Sequence, residues 1–144
     1  MQENDNRFSL DLVTPTAHLV FEQVDEVSIP GSEGDFDVLF EHTPFLTTIR
    51  PGVLSYKVGK EAHYFAVSAG FAEVIPGRVI VLARTAENAE SVSEQRVKDA
   101  LGKAQNRLEK ASKGDSDIDV ERAEVALLRA TARLKAFALS SKSR

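Results

Sequence analysis

Hydrophobic and polar positions alternate along the first part of the chain. Phe8, Leu10 and Leu12 are separated by Ser9 and Asp11, the period of a strand with one buried face. Thr14-Pro15 stops it. The same reading places strands over 18–22 and around Val27 and Ile29, the latter ending at a Pro30-Gly31 turn. Phe36, Val38 and Phe40 then share one face, and 45–49 follows before Pro51-Gly52. Leu54, Tyr56 and Val58 alternate up to Gly59, 63–67 returns, and 71–75 and 78–83 flank Pro76-Gly77. Turn signals at such short intervals, with no helical period between them, predict a small antiparallel sandwich or barrel.

At Thr85 the period changes. Proline disappears and alanine becomes frequent. Ser91 and Glu94 fit a capping box at a helix start. Val97, Leu101, Ala104 and Leu108 then lie on one helical face. Gly114 predicts a helix stop, and Asp117 or Asp119 can cap a second helix. There, Val120, Ala123, Leu127, Ala130, Leu134 and Phe137 form a heptad seam. The pattern predicts an antiparallel two-helix hairpin, and divides the chain into a β domain at 1–86 and a helical one at 87–144. Burying a Leu or Phe contributes about 1.5–3 kcal/mol and alanine far less. So alanine-rich a seam predicts a hairpin that docks on the β domain or on another protein, and can move between them.

Charge sharpens the division. Residues 1–86 carry 6 Lys+Arg against 12 Asp+Glu, and residues 87–144 carry 12 against 10, which together give the net charge of −4. This balance argues against general nucleic-acid binding, which needs a basic surface. There is no cysteine, which excludes disulfides and thiolate metal sites. The N-terminus is polar, without the apolar core of a secretory signal. No run approaches the roughly 18–20 apolar residues that span a bilayer. These features predict a soluble, cytoplasmic protein with no direct membrane insertion.

Candidate chemistry is sparse. The stretch 29–44 crowds Glu33, Asp35 and Asp37 around a turn and ends in a His42-Thr43-Pro44 loop. Acids packed so closely repel one another and belong in water, as a solvated hairpin turn or as a contact loop for a basic partner. His42 is expected to bond to nearby backbone. His18, His42 and His63 lack metal-ligand spacing. The 52–60 segment departs from a phosphate loop, with six residues between its glycines and Glu61 where Ser or Thr should stand. No catalytic constellation emerges, and no metal site. In the second helix Arg122, Arg129 and Arg133 fall on one stripe, and no acid follows Glu124. That stripe reads as a solvated basic face or as a surface for an acidic partner.

Several short motifs in fixed order bring a family into view. They are Val13-Thr14-Pro15, the run Ile-Pro-Gly-Ser-Glu-Gly-Asp-Phe at 29–36, His42-Thr43-Pro44-Phe45-Leu46-Thr47, Arg50-Pro51-Gly52, Gly70-Phe71-Ala72-Glu73-Val74 and Val79-Ile80-Val81-Leu82-Ala83. An alanine-rich hairpin ending in Arg129-Ala130-Thr131-Ala132-Arg133-Leu134-Lys135 completes the set. The chain resembles the epsilon subunit of the F-type, proton-translocating ATP synthase. The resemblance implies a β + α fold: an N-terminal ten-stranded antiparallel β-sandwich followed by a C-terminal antiparallel two-helix hairpin. It implies a non-catalytic central-stalk rotor subunit that links the gamma subunit to the c-ring and couples proton flow to ATP synthesis. The place it implies is peripheral, at the cytoplasmic face of the inner membrane. It implies c-ring contacts at Glu33, Asp35 and His42. The basic stripe of Arg122, Arg129 and Arg133 would act in a regulatory hairpin that restrains ATP hydrolysis through the alpha and beta catalytic subunits. Some members bind ATP on the folded hairpin, which would fall here to Arg96, Arg129 and Arg133; no other cofactor is implied. The chain departs from the family at Asp37, where glycine is usual, and at Phe40-Glu41, where Pro-Gly is common. In the nucleotide motif Ser93 replaces Asp and Val97 replaces Ala. A free-standing ATP sensor and a small hydrolase are the rival readings.

Overall fold

The computed structural model describes residues 6–115 and 117–142. Its strands are β1 (Phe8–Val13), β2 (His18–Val24), β3 (Glu26–Gly31), β4 (Gly34–Val38), β5 (Phe45–Ile49), β6 (Gly52–Val58), β7 (Glu61–Val67), β8 (Gly70–Ile75), β9 (Arg78–Ala83) and β10 (Ala86–Asn88). Helices α1 (Glu94–Ser112) and α2 (Val120–Lys142) follow. The strands pair in the order β10-β7-β6-β3-β5-β8-β9-β1-β2, with β4 also on β3. Between β3 and β5 the ladder narrows to Gly31 opposite Ile49, so the sheet folds there into two layers. Strand pairs are antiparallel except β1 and β9, which run parallel from Ser9 opposite Arg78 to Val13 opposite Leu82.

Alternate residues of both layers fill the space between them. Leu10, Leu12, Val24, Val27, Ile29 and Leu54 are fully buried there. Tyr56 is buried as well, stacked on His63 and donating from its hydroxyl to Glu22 Oε2 at 3.2 Å. Burial first, and the Glu22 carboxylate second, push its phenol up to about 12.

Four local expectations are corrected by the structure. Pro30 and Gly31 are strand residues, and the turn lies at Ser32 and Glu33. Pro30 fits within β3 because only its carbonyl is used there, accepting from Arg50 N at 2.9 Å. Gly34, with φ +133°, closes the turn in a conformation that a side chain would oppose. Phe40 does not share the buried face of Phe36 and Val38, because β4 ends at Val38; Phe40 is exposed. The cap of α1 is Ser93, whose Oγ accepts from Arg96 N at 3.4 Å, whereas Ser91 closes a 3-10 turn over Ala89–Ser91. Val120, placed in the seam by its spacing, is exposed. The second cap is Asp119, whose Oδ1 accepts from Arg122 N at 3.1 Å. β10 begins at Ala86, the residue at which the β domain was expected to end.

The helices pack antiparallel through Val97, Ala130, Leu101, Leu134 and Phe137. A second face of α2 carries Ala132, Ala136 and Ser140, all buried. Ala136 packs with Ala66 and Ala89 and against Val53 and Tyr64, which fixes α2 over β6 and β7. Small side chains let the helix approach the sheet closely, though each contributes little by area. The hairpin is therefore docked on its own β domain.

Candidate interaction surfaces

The acidic turn is only partly open to a partner. Glu33 sits exposed at its tip and Asp37 is exposed along β4. Asp35 pairs with the guanidinium of Arg50, brought alongside by the turn between β5 and β6. One of the three acids expected in water thus already has its base. His42 lies past the opposite end of β4. It donates from Nδ1 to the Thr43 carbonyl at 2.7 Å, the backbone bond expected of it. Its surroundings include Ile75, Pro76 and Gly77 of the β8–β9 turn. The five residues of β4 separate His42 from Glu33, about 16 Å at the usual rise, and Asp35 lies within that strand. A partner touching all three must span that length. The loop between β4 and β5 exposes Leu39 and Phe40, and the first two residues of β5, Phe45 and Leu46, are exposed as well. It also holds Glu41 in the left-handed region at φ 65°.

The basic residues of the hairpin separate into three environments. Arg122 shares a hollow at the hairpin loop with Arg107, Asp117 and Asp119. Arg129 and Arg133 line a cleft between α2 and the sheet, with Ser68, Thr85 and Glu87 opposite. There Arg133 donates from Nη2 to Glu87 Oε1 at 3.2 Å. Its Nε lies 2.7 Å from Glu87 Oε2 but off the N–H direction, an ion pair without a second hydrogen bond. The stripe is therefore not a uniform solvated face: Arg133 fastens the hairpin to β10. Arg96, exposed at the start of α1, is not among the residues lining this cleft. The cleft holds about 60 Å³, well below the roughly 300–1,000 Å³ of small-molecule sites.

A third surface escaped the strand-by-strand reading. The outward face of β5, β8, β9, β1 and β2 carries two registered rows. One runs Thr48, Phe71, Leu82, Val13, His18, and the other Leu46, Glu73, Ile80, Asp11, Phe21. Phe21 is 73% exposed, Leu46 67%, Phe71 55% and Leu82 49%, a concentration of apolar side chains that isolated surface residues do not make. α2 covers the other layer and leaves this one bare. Within the second row Asp11 is buried, accepting from Arg78 Nε at 2.7 Å and facing His18 Nε2 at 3.0 Å. It ties β1 to β9 and β2. The signal available in the sequence was Phe21, Phe71 and Leu82 at positions of polar parity.

Among the described residues no group of three or more His, Asp or Glu could hold a metal ion. No described helix is long and apolar enough to cross a membrane. Residues 7–89 match the family of the ATP synthase delta/epsilon chain β-sandwich domain, and residues 90–138 match its long α-helix domain. The chain belongs to the ATP synthase delta/epsilon family. It is 41% identical over 129 residues to an ATP synthase epsilon chain of Syntrophotalea carbinolica, covering 90% of this chain and 92% of the relative. The epsilon chain of Thermodesulfovibrio yellowstonii is 45% identical over 113 residues, 78% of this chain and 81% of the relative. A chain in the cryo-EM structure of the Euglena gracilis mitochondrial ATP synthase shares the fold, with TM-score 0.79 at 24% identity over 96% of this chain and 84% of that one. As a delta/epsilon chain the protein is a rotor subunit of the central stalk and not a catalytic one.

Proposed function

We propose that the bare face of β5, β8, β9, β1 and β2 is where the gamma subunit seats, and that the β3–β4 turn and the loop carrying His42 face the c-ring. The subunit then works as a peripheral adaptor on the membrane side of the stalk. The observation that supports this is the asymmetry of the two layers. One is closed by α2, and the other exposes Phe21, Leu46, Phe71 and Leu82 in adjoining rows. Burying one such side chain contributes about 1.5–3 kcal/mol, so torque can pass through a contact of this kind without covalent linkage. Glu33 is the exposed acid offered to the ring, since Asp35 is held by Arg50. The docked hairpin, fastened by Arg133 to Glu87, is the resting form of a regulatory element that restrains hydrolysis when released toward the alpha and beta subunits.

The test is co-purification of the rotor with variants of this chain. Phe71→Glu with Leu82→Glu is expected to lose gamma while keeping the thermal midpoint of the isolated chain, and Glu33→Lys to retain gamma but weaken the hold on the ring. Undiminished recovery of gamma with the first pair would refute the assignment of this face.

A further inference from the structure

At the Val13 end of the bare face lies an apolar groove of about 460 Å³, walled by Val13, Pro15, Ala69 and Leu82, floored by Gly70 and rimmed by Arg84. Resting on the reading that gamma seats on this face, we infer that the groove is the anchor point of the contact. It receives one large apolar side chain of the partner, with a carboxylate nearby that meets Arg84.

Three features carry this. The groove is built rather than incidental. A Cβ on Gly70 would come within 1.8 Å of the Leu82 carbonyl oxygen, so the floor stays open by necessity. The turn that forms one wall is braced by Thr14 N donating to the Ala17 carbonyl at 2.9 Å. The groove is also continuous with the row Phe71, Leu82, Val13, so an occupant would extend the same interface. Finally, Arg84 is exposed, and among the described residues its side chain has no acidic partner, while its backbone N–H is spent on the Ala69 carbonyl at 2.9 Å. An unpaired guanidinium beside an apolar pocket favours a carboxylate over a second cation or a neutral group. Anchors of this type, one bulky side chain in a pocket inside a wider contact, concentrate binding energy at few positions.

The experiment measures binding of the full-length chain to the gamma subunit. Ala69→Trp fills the groove from an exposed turn position, without touching the core. It is expected to weaken Kd by about thirtyfold or more, with the thermal midpoint unchanged. Arg84→Ala is expected to slow association and flatten its salt dependence. Phe71→Glu serves as the control for the face. If Phe71→Glu abolishes binding while Ala69→Trp and Arg84→Ala leave Kd and salt dependence as in the parent, the groove is not the anchor and the inference fails while the face stands. If Phe71→Glu is also silent, gamma seats elsewhere and both fail. A loss of binding with Ala69→Trp alone, at unaltered salt dependence in Arg84→Ala, keeps the pocket and overturns the carboxylate.

Discussion

Arg133→Ala should loosen α2 from the sheet without unfolding the sandwich. The Arg133 side chain is 31% exposed and the Glu87 side chain 35%, with Nε to Oε2 at 2.7 Å and one hydrogen bond at 3.2 Å. Exposed pairs contribute about 0.2–1 kcal/mol, and removing one partner of a fully buried pair costs about 3–5 kcal/mol. At one-third exposure, with one hydrogen bond, a coupling of about 1 kcal/mol is expected. Each single substitution should cost a little more, since the remaining charge stays half covered in the cleft. Urea unfolding of the parent, Arg133→Ala, Glu87→Ala and the double variant gives the coupling directly. Amide exchange places it: faster exchange should appear along Val120–Lys142 and at β10, with β1 and β9 unchanged. The alanine contact at Ala66, Ala89 and Ala136 survives the substitution, so the helix should open more often rather than detach. A coupling within about 0.3 kcal/mol of zero, the limit of ordinary additivity, would refute the view that this pair fastens the hairpin. So would a rise in exchange spread evenly over both layers.

Two further expectations follow from single residues. The Tyr56 phenol titrates near 12 when folded and near 10 in the unfolded chain, so its contribution is complete below pH 10 and is lost as pH rises from about 10 to 12. Tyr56→Phe should remove that part of the alkaline decline in thermal midpoint, at a cost of about 1 kcal/mol at neutral pH for the hydrogen bond to Glu22; an identical alkaline decline in the variant would count against it. Glu41→Gly should stabilise the chain by about 0.5 kcal/mol, since relief of a left-handed side chain, about 1–2 kcal/mol, outweighs the added freedom of the unfolded chain. Glu41→Ala should give no such gain, and equal stability of the two would show that φ at this position carries no penalty.

The alternation from Phe8 to Leu82, the spacing of Pro-Gly turns and the change of period at Thr85 were enough to define strands and a helical pair. Side chains two apart on a strand, or three and four apart on a helix, face one way whatever surrounds them. The ordered motifs then indicated the family. Local rules also misled where a neighbour overrode them. Pro30-Gly31 reads as a turn, yet the ladder to β4 and the Arg50 amide hold both in a strand. Ser91 fits a capping box with Glu94, yet it closes the 3-10 turn at Ala89–Ser91 and Ser93 caps α1. Only the tertiary structure could decide which charges are already spent. Asp35 meets Arg50 across 15 positions and Arg133 meets Glu87 across 46, distances over which sequence spacing carries no information. The bare face is of the same kind. Phe21, Phe71 and Leu82 are isolated apolar residues in three separate strands, and they become one surface only because β2 and β9 flank β1 and β8 pairs with β9. Sequence periodicity shows which way a strand turns its side chains; the order of strands in the sheet determines which of them lie together.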